Sequence, residues 1–197
     1  MTAAGSPFRL VRWIAWGAVG FLTAAMLYLM MAPEARKGAV IGGPFTLTAM
    51  TGQRINVGEA EKGRPYAVFF GFTHCPDICP TALFEMSEIM RALGNDADRT
   101  QAFFVSVDPE RDTPAQLKLY LSSFDPHISG LTGSDSQIAQ VVKNFRVYAK
   151  KVPLKDGDYT MDHTALVYLF DREGRFIAPF NMKRKPDEAA ADLRRYF

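Results

Sequence analysis

The sequence predicts an α/β domain with a mixed central sheet that helices cover on both faces. Two continuous apolar runs, YAVFFGF at 66–72 and QAFFVSV at 101–107, are typical of strands buried on both sides. Helical segments alternate with these runs, and this alternation predicts helices above and below the sheet. The segment 164–180 predicts a hairpin with Asp171 and Gly174 in its turn, which adds antiparallel strands to the sheet.

Local signals predict the remaining elements in order along the chain. A small hairpin is expected at 44–57, where TGQ separates two runs of β-forming residues. A helix is expected at about 76–93. Another is expected at 112–124, with Asp112 as its N-cap and Pro114 in its first turn. Two further helices are predicted at 134–145 and 185–197.

Strand, helix, strand, hairpin and final helix is the order of elements in a thioredoxin-like domain. We expect this domain to cover residues 44–197, a comfortable length for one hydrophobic core. The chain of 197 residues has 23 Lys and Arg against 21 Asp and Glu, a formal charge of +2. Because phosphate binding needs clustered positive charge, this near-balance argues against nucleic acid as a main partner.

The N-terminal segment predicts a transmembrane helix. Residues 13–32 contain no charge, and a helix of this length would span about 30 Å, the thickness of a bilayer core. Trp13, Trp16 and Tyr28 near its ends suit the two membrane interfaces. A cleaved signal peptide is the alternative, but the run exceeds a secretory apolar region and no small-residue cleavage site follows it.

This interpretation divides the chain into a short cytoplasmic arm at 1–12, an anchor at 13–32, a linker at 33–43 and the domain. Lys and Arg are equally frequent on the two sides of the anchor, so the positive-inside rule does not orient it. The short arm favours a cytoplasmic N-terminus. We therefore expect a single-pass protein of the bacterial inner membrane with its domain in the periplasm, rather than one of the mitochondrial inner membrane.

The two cysteines of the chain lie in the stretch GFTHCPDICPT at 71–81. Cys75 is expected to end a loop, Pro76 to open the helix, and Cys79 to follow one turn later on the same helix face. A helix N-terminus lowers the pKa of a thiol, and the spacing permits a disulfide. Two thiolates also make half of a soft-metal site. Redox cycling, metal binding and plain core packing therefore all stay open on this spacing.

A third ligand could come from one of three histidines. His74 is adjacent to the first cysteine and should point elsewhere, and His127 is typical of a surface turn. His163 precedes the predicted final hairpin, and in a thioredoxin-like sheet this loop faces the helix that carries the cysteines. One interpretation joins His163 to both cysteines, with Asp162 orienting the imidazole. The other is a hydrogen-bonded residue at a strand end.

Four motifs together resemble the Sco (SenC) family of cytochrome c oxidase assembly proteins: GFTHCPDICPT, VSVDPERDTP, GLTGS and YTMDHTALVYLFDREGRF. They occur in order between about Gly42 and the C-terminal helix. The resemblance implies a thioredoxin fold and copper bound by Cys75, Cys79 and His163. It also implies delivery of that copper to the binuclear copper site of cytochrome c oxidase subunit II. Other copper chaperones or thiol reductants are further possible partners.

The donor chemistry agrees with copper. Two thiolates and one imidazole form a trigonal set suited to Cu(I), and a further weak ligand would accommodate Cu(II). Met161 and Met182 are candidates for that ligand by composition only. A structural zinc site would need a fourth ligand. The alternative function is a thiol–disulfide oxidoreductase, in which Cys75 and Cys79 form the redox pair that keeps the cysteines of subunit II reduced.

Three charged residues near these motifs have two interpretations each. Asp77, between the cysteines, either favours the helix N-terminus or contacts the partner. Asp108 and Arg111, in the DPERDTP loop, either form a salt-bridged loop or, by the resemblance, a docking surface for the oxidase subunit.

Overall fold

The computed structural model describes residues 7–31, 41–155 and 157–197. The chain divides into two compact units, Met1–Ala39 and Val40–Phe197. Each unit has its own secondary structure, and the residues of the proposed site belong to the second.

Helix α1 (Pro7–Met31) is the element described in the first unit. Residues 1–6 of the predicted arm, residue 32 of the predicted anchor and residues 33–40 of the predicted linker lie outside the described residues. Across the part of the chain that the structure describes, no helix is both long and apolar enough to cross a membrane. The anchor at 13–32 is therefore not confirmed and stays a prediction from the sequence.

A mixed sheet forms the centre of the second unit. The strands of its described residues are β1 (Phe45–Ala49), β2 (Arg54–Val57), β3 (Tyr66–Gly71), β4 (Gln101–Ser106), β5 (Ile128–Thr132), β6 (Ala149–Pro153), β7 (Tyr159–His163), β8 (Val167–Phe170) and β9 (Phe176–Pro179). One sheet has the order β2-β1-β5-β4-β3-β8-β9, and β6 pairs with β7 in a second. Strands β3, β4 and β5 are parallel, whereas the other pairs are antiparallel. The predicted mixed sheet is confirmed.

Helices cover both faces of the large sheet. Neighbouring residues of a strand point to opposite faces of the sheet. Phe69 and Phe70 of β3 therefore show what packs on each of the two faces. Phe69 lines a small cavity with Ala82 and Met86, whereas the Phe70 ring lies 5.1 Å from the ring of Phe145. The helices are α2 (Ile78–Leu93), a 3₁₀ helix (Gly94–Arg99), α3 (Pro114–Leu121), α4 (Asp135–Phe145) and α5 (Pro186–Arg194).

Phe145, at the end of α4, is the centre of the aromatic core. Its ring centroid lies between 5.1 and 5.7 Å from the rings of Phe45, Phe70, Tyr168 and Phe170. These pairs meet edge to face, a geometry in which each contributes about 0.5–1.5 kcal/mol beyond the burial of its area. The cluster fastens α4 to strands β1, β3 and β8.

The start of α3 differs from the prediction. Thr113 is the N-cap, because its Oγ accepts a hydrogen bond from the backbone N–H of Gln116 at 3.2 Å. Pro114 is the first helical residue, and a proline at this position places the cap at the residue directly before it. The prediction of Asp112 as N-cap is therefore wrong. Asp112 is instead fully buried.

Strand β5 and the hairpin of β6 and β7 were not predicted. Strand β5 contains Gly130, where a Cβ would lie 2.7 Å from Leu121 Cδ1, so close packing demands a residue with poor strand propensity. Strand β6 reads AKKVP and is exposed apart from Ala149, so it lacks the apolar alternation of a half-buried strand. His127, predicted in a surface turn, is half-buried and contacts the carboxylate of Asp125 at 2.7 Å.

Gly71 ends β3 beneath the first turn of α2. A Cβ at this position would lie 2.5 Å from Phe104 Cε2 and 2.8 Å from Cys79 Sγ. Both distances are too short for non-bonded atoms, so any larger residue would displace one of these neighbours. The absence of a side chain at Gly71 lets Cys79 approach the sheet.

We expect Gly71→Ala to lower the free energy of unfolding by about 1–3 kcal/mol, the usual cost of overpacking a core. Displacement of Cys79 should also accelerate its alkylation, which mass spectrometry can measure residue by residue. The matched control is Gly130→Ala, whose Cβ would meet Leu117 and Leu121 rather than a sulfur. It should lose stability and keep the parent alkylation rate. Equal rates at Cys79 in both variants would contradict this role of Gly71.

Candidate metal centre

The cysteines lie where β3 is followed by α2. Cys75 belongs to the connecting loop 72–77, whereas Cys79 is the second residue of α2, after the N-cap Asp77. The predicted helix start at Pro76 is therefore two residues early. The two cysteines do not share a helix face, because the first one precedes the helix. Cys75 is half-buried and Cys79 is fully buried.

A hydrogen bond joins the two cysteines. The backbone N–H of Cys79 donates to Cys75 Sγ at 3.4 Å. An amide in the first turn of a helix has no acceptor within the helix, so it is free to bind the sulfur. Such a bond is stronger when its acceptor is charged, and a cysteine binds metal as the thiolate. The start of α2 therefore suits Cys75 as a metal ligand.

Cys79 lies in a different environment. Burial raises the pKa of its thiol far above the usual range, although a hydrogen bond from the backbone of Phe72 opposes the shift. The prediction that the helix N-terminus lowers the thiol pKa is wrong for Cys79, because desolvation of the thiolate outweighs the helix. The metal-free protein therefore keeps this thiol protonated at neutral pH, and metal binding must release its proton.

His163 is the last residue of β7, where it pairs in register with Ala149. Its Nδ1 lies 3.1 Å from the carbonyl oxygen of Thr164. Because a carbonyl only accepts, Nδ1 carries the proton and the lone pair of the neutral ring is on Nε2. Nε2 points toward the cysteines and lies 3.7 Å from Cys79 Sγ. The backbone thus selects the tautomer that can bind a metal.

The structure brings the three predicted ligands together. Cys75 Sγ, Cys79 Sγ and one ring nitrogen of His163 all lie within 4.8 Å of one another, a group that could hold one metal ion. His74, the neighbour of Cys75, is exposed and is not part of this group. Two sulfurs and one imidazole nitrogen are soft donors, which favour copper over hard cations such as Mg²⁺. The donor set could therefore form a copper site.

A surface cleft of about 240 Å³ opens beside the group. Cys75 and His163 line it, and Asp77 and Ile78 contribute from the start of α2. Cys79 is not in its lining. One cysteine and the histidine are therefore accessible from outside, while the second cysteine forms the inner wall of the site.

Other candidate residues lie outside the group of ligand atoms. Asp162 is exposed, and the contact that orients the imidazole comes from the carbonyl of Thr164 instead. Asp77 is the exposed N-cap of α2, but its side chain makes no capping hydrogen bond. Met161 and Met182 are partly buried and pack against the hydrophobic core.

Asp108 and Arg111 form a salt bridge, and both bind Tyr159 of β7. Arg111 Nε donates to Asp108 Oδ2 at 2.5 Å, and the hydroxyl of Tyr159 donates to Asp108 Oδ1 at 2.8 Å. Arg111 also donates to the Tyr159 carbonyl at 3.0 Å, and its guanidinium lies 3.7 Å above the Tyr159 ring. Asp108 is 1% exposed. These contacts confirm the salt-bridged loop, in which Arg111 also holds β7, whereas the docking surface stays a prediction.

The sequence and fold match known proteins. The SCO2-like protein of Rickettsia conorii is 40% identical over 156 residues, which are 78% of this chain and 76% of the relative. The structure of Bradyrhizobium japonicum ScoI with copper bound aligns with a TM-score of 0.77 and 64% identity, over 80% of this chain and 99% of that one.

BsSco, described as a member of the Sco family of cytochrome c oxidase assembly proteins, aligns with a TM-score of 0.61 and 27% identity. That alignment covers 81% of this chain and 94% of BsSco. The SCO1/SenC family model matches residues 33–197. The match spans the cysteine loop, the histidine hairpin and the whole sheet between them, so this chain belongs to the SCO1/SenC family.

Proposed function

We propose that this protein binds copper and delivers it to the binuclear copper site of cytochrome c oxidase subunit II during oxidase assembly. The convergence of Cys75, Cys79 and His163 carries the proposal, because the histidine is 84 residues from Cys79 in sequence and 3.7 Å from its sulfur. A cytochrome c oxidase partner is supported by BsSco, a structural neighbour described as a member of a family of cytochrome c oxidase assembly proteins.

The geometry suits a metal that is carried and then released. The three ligands could hold one ion, and the cleft leaves one side of the site open to a receiving protein. Protonation of the buried Cys79 thiol competes with metal binding, since its raised pKa favours the protonated form. Release of copper is therefore coupled to uptake of a proton by Cys79.

Loss of the histidine should separate copper binding from thiol chemistry. We expect His163→Ala to weaken Cu(I) binding by roughly 100-fold or more, since two sulfurs alone leave the ion without its third ligand. Competition with a chromophoric Cu(I) chelator measures the affinity. His127→Ala is the control, because it removes an imidazole that contacts Asp125 and is outside the ligand group. A His163→Ala variant that binds copper as tightly as the parent would overturn the proposed site.

The second candidate function is thiol–disulfide exchange with the same partner. The contact of 3.4 Å between the Cys79 amide and Cys75 Sγ places two free thiols side by side, with Cys75 the accessible one. Attack by Cys75 on a partner disulfide would give a mixed disulfide, which Cys79 would resolve. The pair would lose two electrons and two protons, and the partner would gain two thiols.

Delivery and reduction can be distinguished with subunit II as the acceptor. We expect the copper-loaded full chain to transfer copper to a subunit II domain whose cysteines are already reduced. His163→Ala should fail in this transfer. In a second assay, the metal-free reduced protein is mixed with oxidised subunit II, and thiol titration follows the appearance of acceptor thiols. Reduction without any copper transfer by the parent would favour the oxidoreductase and contradict delivery.

We also propose that residues 13–32 anchor the protein in the bacterial inner membrane with its domain in the periplasm. The uncharged 20-residue run and its terminal aromatic residues support this placement. The full chain should remain in the membrane pellet after carbonate extraction, and protease should reach the domain in spheroplasts. A chain lacking residues 1–32 should be soluble. Recovery of the full chain in the soluble fraction would contradict the anchor.

A further inference from the structure

Asp112 is a buried carboxylate that the ligand group does not use. It is fully buried in the loop between β4 and α3. Its Oδ1 accepts a hydrogen bond from Thr73 Oγ at 2.6 Å. Its Oδ2 accepts from the backbone N–H of Thr73 at 3.0 Å and from Ser106 Oγ at 2.6 Å. Three donors therefore converge on one carboxylate.

These donors connect the end of the sheet to the cysteine loop. Ser106 is the last residue of β4, and Thr73 lies in the loop two residues before Cys75. Two of the three hydrogen bonds come from Thr73, one from its backbone and one from its side chain. Together they fix both the position and the rotation of this residue. The start of the cysteine loop is thereby held against the core.

The loop between β4 and α3 also holds the histidine hairpin, through its first residues. The backbone N–H of Asp112 donates to the carbonyl of Asp108 at 2.9 Å, which closes residues 108–112 into a turn. Asp108 in turn binds the hydroxyl of Tyr159, the first residue of the strand that ends at His163. One turn therefore contacts the segment before Cys75 and the strand that carries His163.

We propose that Asp112 is a positioning residue for the copper site: by holding Thr73 it sets the place of Cys75 relative to His163. The inference rests on the proposed copper binding. A positioning role differs from a general stabilising role. If Asp112 only stabilised the core, copper binding would not depend on its hydrogen bonds to Thr73 in particular. Hydrogen bonds that orient the ligands of a metal typically change its affinity by about 10–100-fold.

The test changes Thr73 rather than Asp112, since removal of a buried carboxylate could prevent folding. Thr73→Val keeps the shape of the side chain and the backbone hydrogen bond but deletes the hydroxyl, which donates to Asp112 and also lies 3.2 Å from Nδ1 of the exposed His74. Thr73→Ser restores the hydroxyl. The matched control is Ser106→Ala. It deletes the hydroxyl that donates to the same carboxylate from the end of β4 rather than from the cysteine loop. Ser106 Oγ also accepts from the Asp108 backbone N–H at 3.0 Å, so this control removes one hydrogen bond more.

Each full-length variant is measured for Cu(I) affinity, for the sulfur-to-Cu(II) charge-transfer absorption and for stability in urea. We expect Thr73→Val to weaken Cu(I) binding by about tenfold and to shift the absorption band. Thr73→Ser should restore both. Ser106→Ala should lose stability while keeping the parent affinity and band.

Two outcomes would overturn the inference. The first is parent affinity and an unchanged band in Thr73→Val. The second is equal loss of affinity in Thr73→Val and Ser106→Ala, since this would assign the carboxylate a purely structural role. Failure of the proposed function is recognised separately, because it would appear as unaltered copper binding by His163→Ala, whatever the Thr73 variants do.

Discussion

The turn between β4 and α3 is the constraint on which the metal centre depends. The cysteine loop follows β3 of the large sheet and the histidine ends β7 of the small one, and the Phe72 and His163 rings meet edge to face at 5.8 Å. Asp112 bonds to Thr73 in the cysteine loop, and Asp108 with Arg111 bonds to Tyr159 in the hairpin. The buried carboxylates have their hydrogen bonds satisfied, which makes them a stable rather than a costly feature of the interior. A short segment without regular structure thus holds both ligand-bearing segments, in addition to the direct contact of Phe72 with His163.

The site itself is asymmetric. Cys75 is partly exposed and accepts an amide hydrogen bond, whereas Cys79 is buried against Gly71 and its thiol pKa is raised. His163 presents its free nitrogen because the Thr164 carbonyl binds the other one. A bound soft cation would stabilise the thiolate of Cys79 in this buried position. The inner thiol must therefore lose its proton before both cysteines can act as thiolate ligands.

The sequence predicted those strands and helices whose apolar residues follow a periodic pattern along the chain. The apolar runs of β3 and β4 and the amphipathic helices were found from sequence because burial on one or both faces leaves a periodic pattern. Strand β5 was missed because close packing against α3 requires Gly130. Strand β6 was missed because its exposed lysines carry no strand pattern, and its pairing with β7 is made by the backbone. The cap of α3 was misplaced by one residue, because Asp112 and Thr113 are both good caps.

The sequence by itself determined the ligand types: two cysteines at a strand–helix junction, a histidine in a recognisable motif, and the family to which the motifs belong. The tertiary structure decided how these groups differ. Only the folded chain shows that Cys79 is desolvated, that Thr164 rather than Asp162 orients His163, and that Asp112 binds Thr73. The physical reason is that desolvation and hydrogen bonding depend on neighbours far away in the chain. A cysteine pair has the same spacing whether it is solvated or buried.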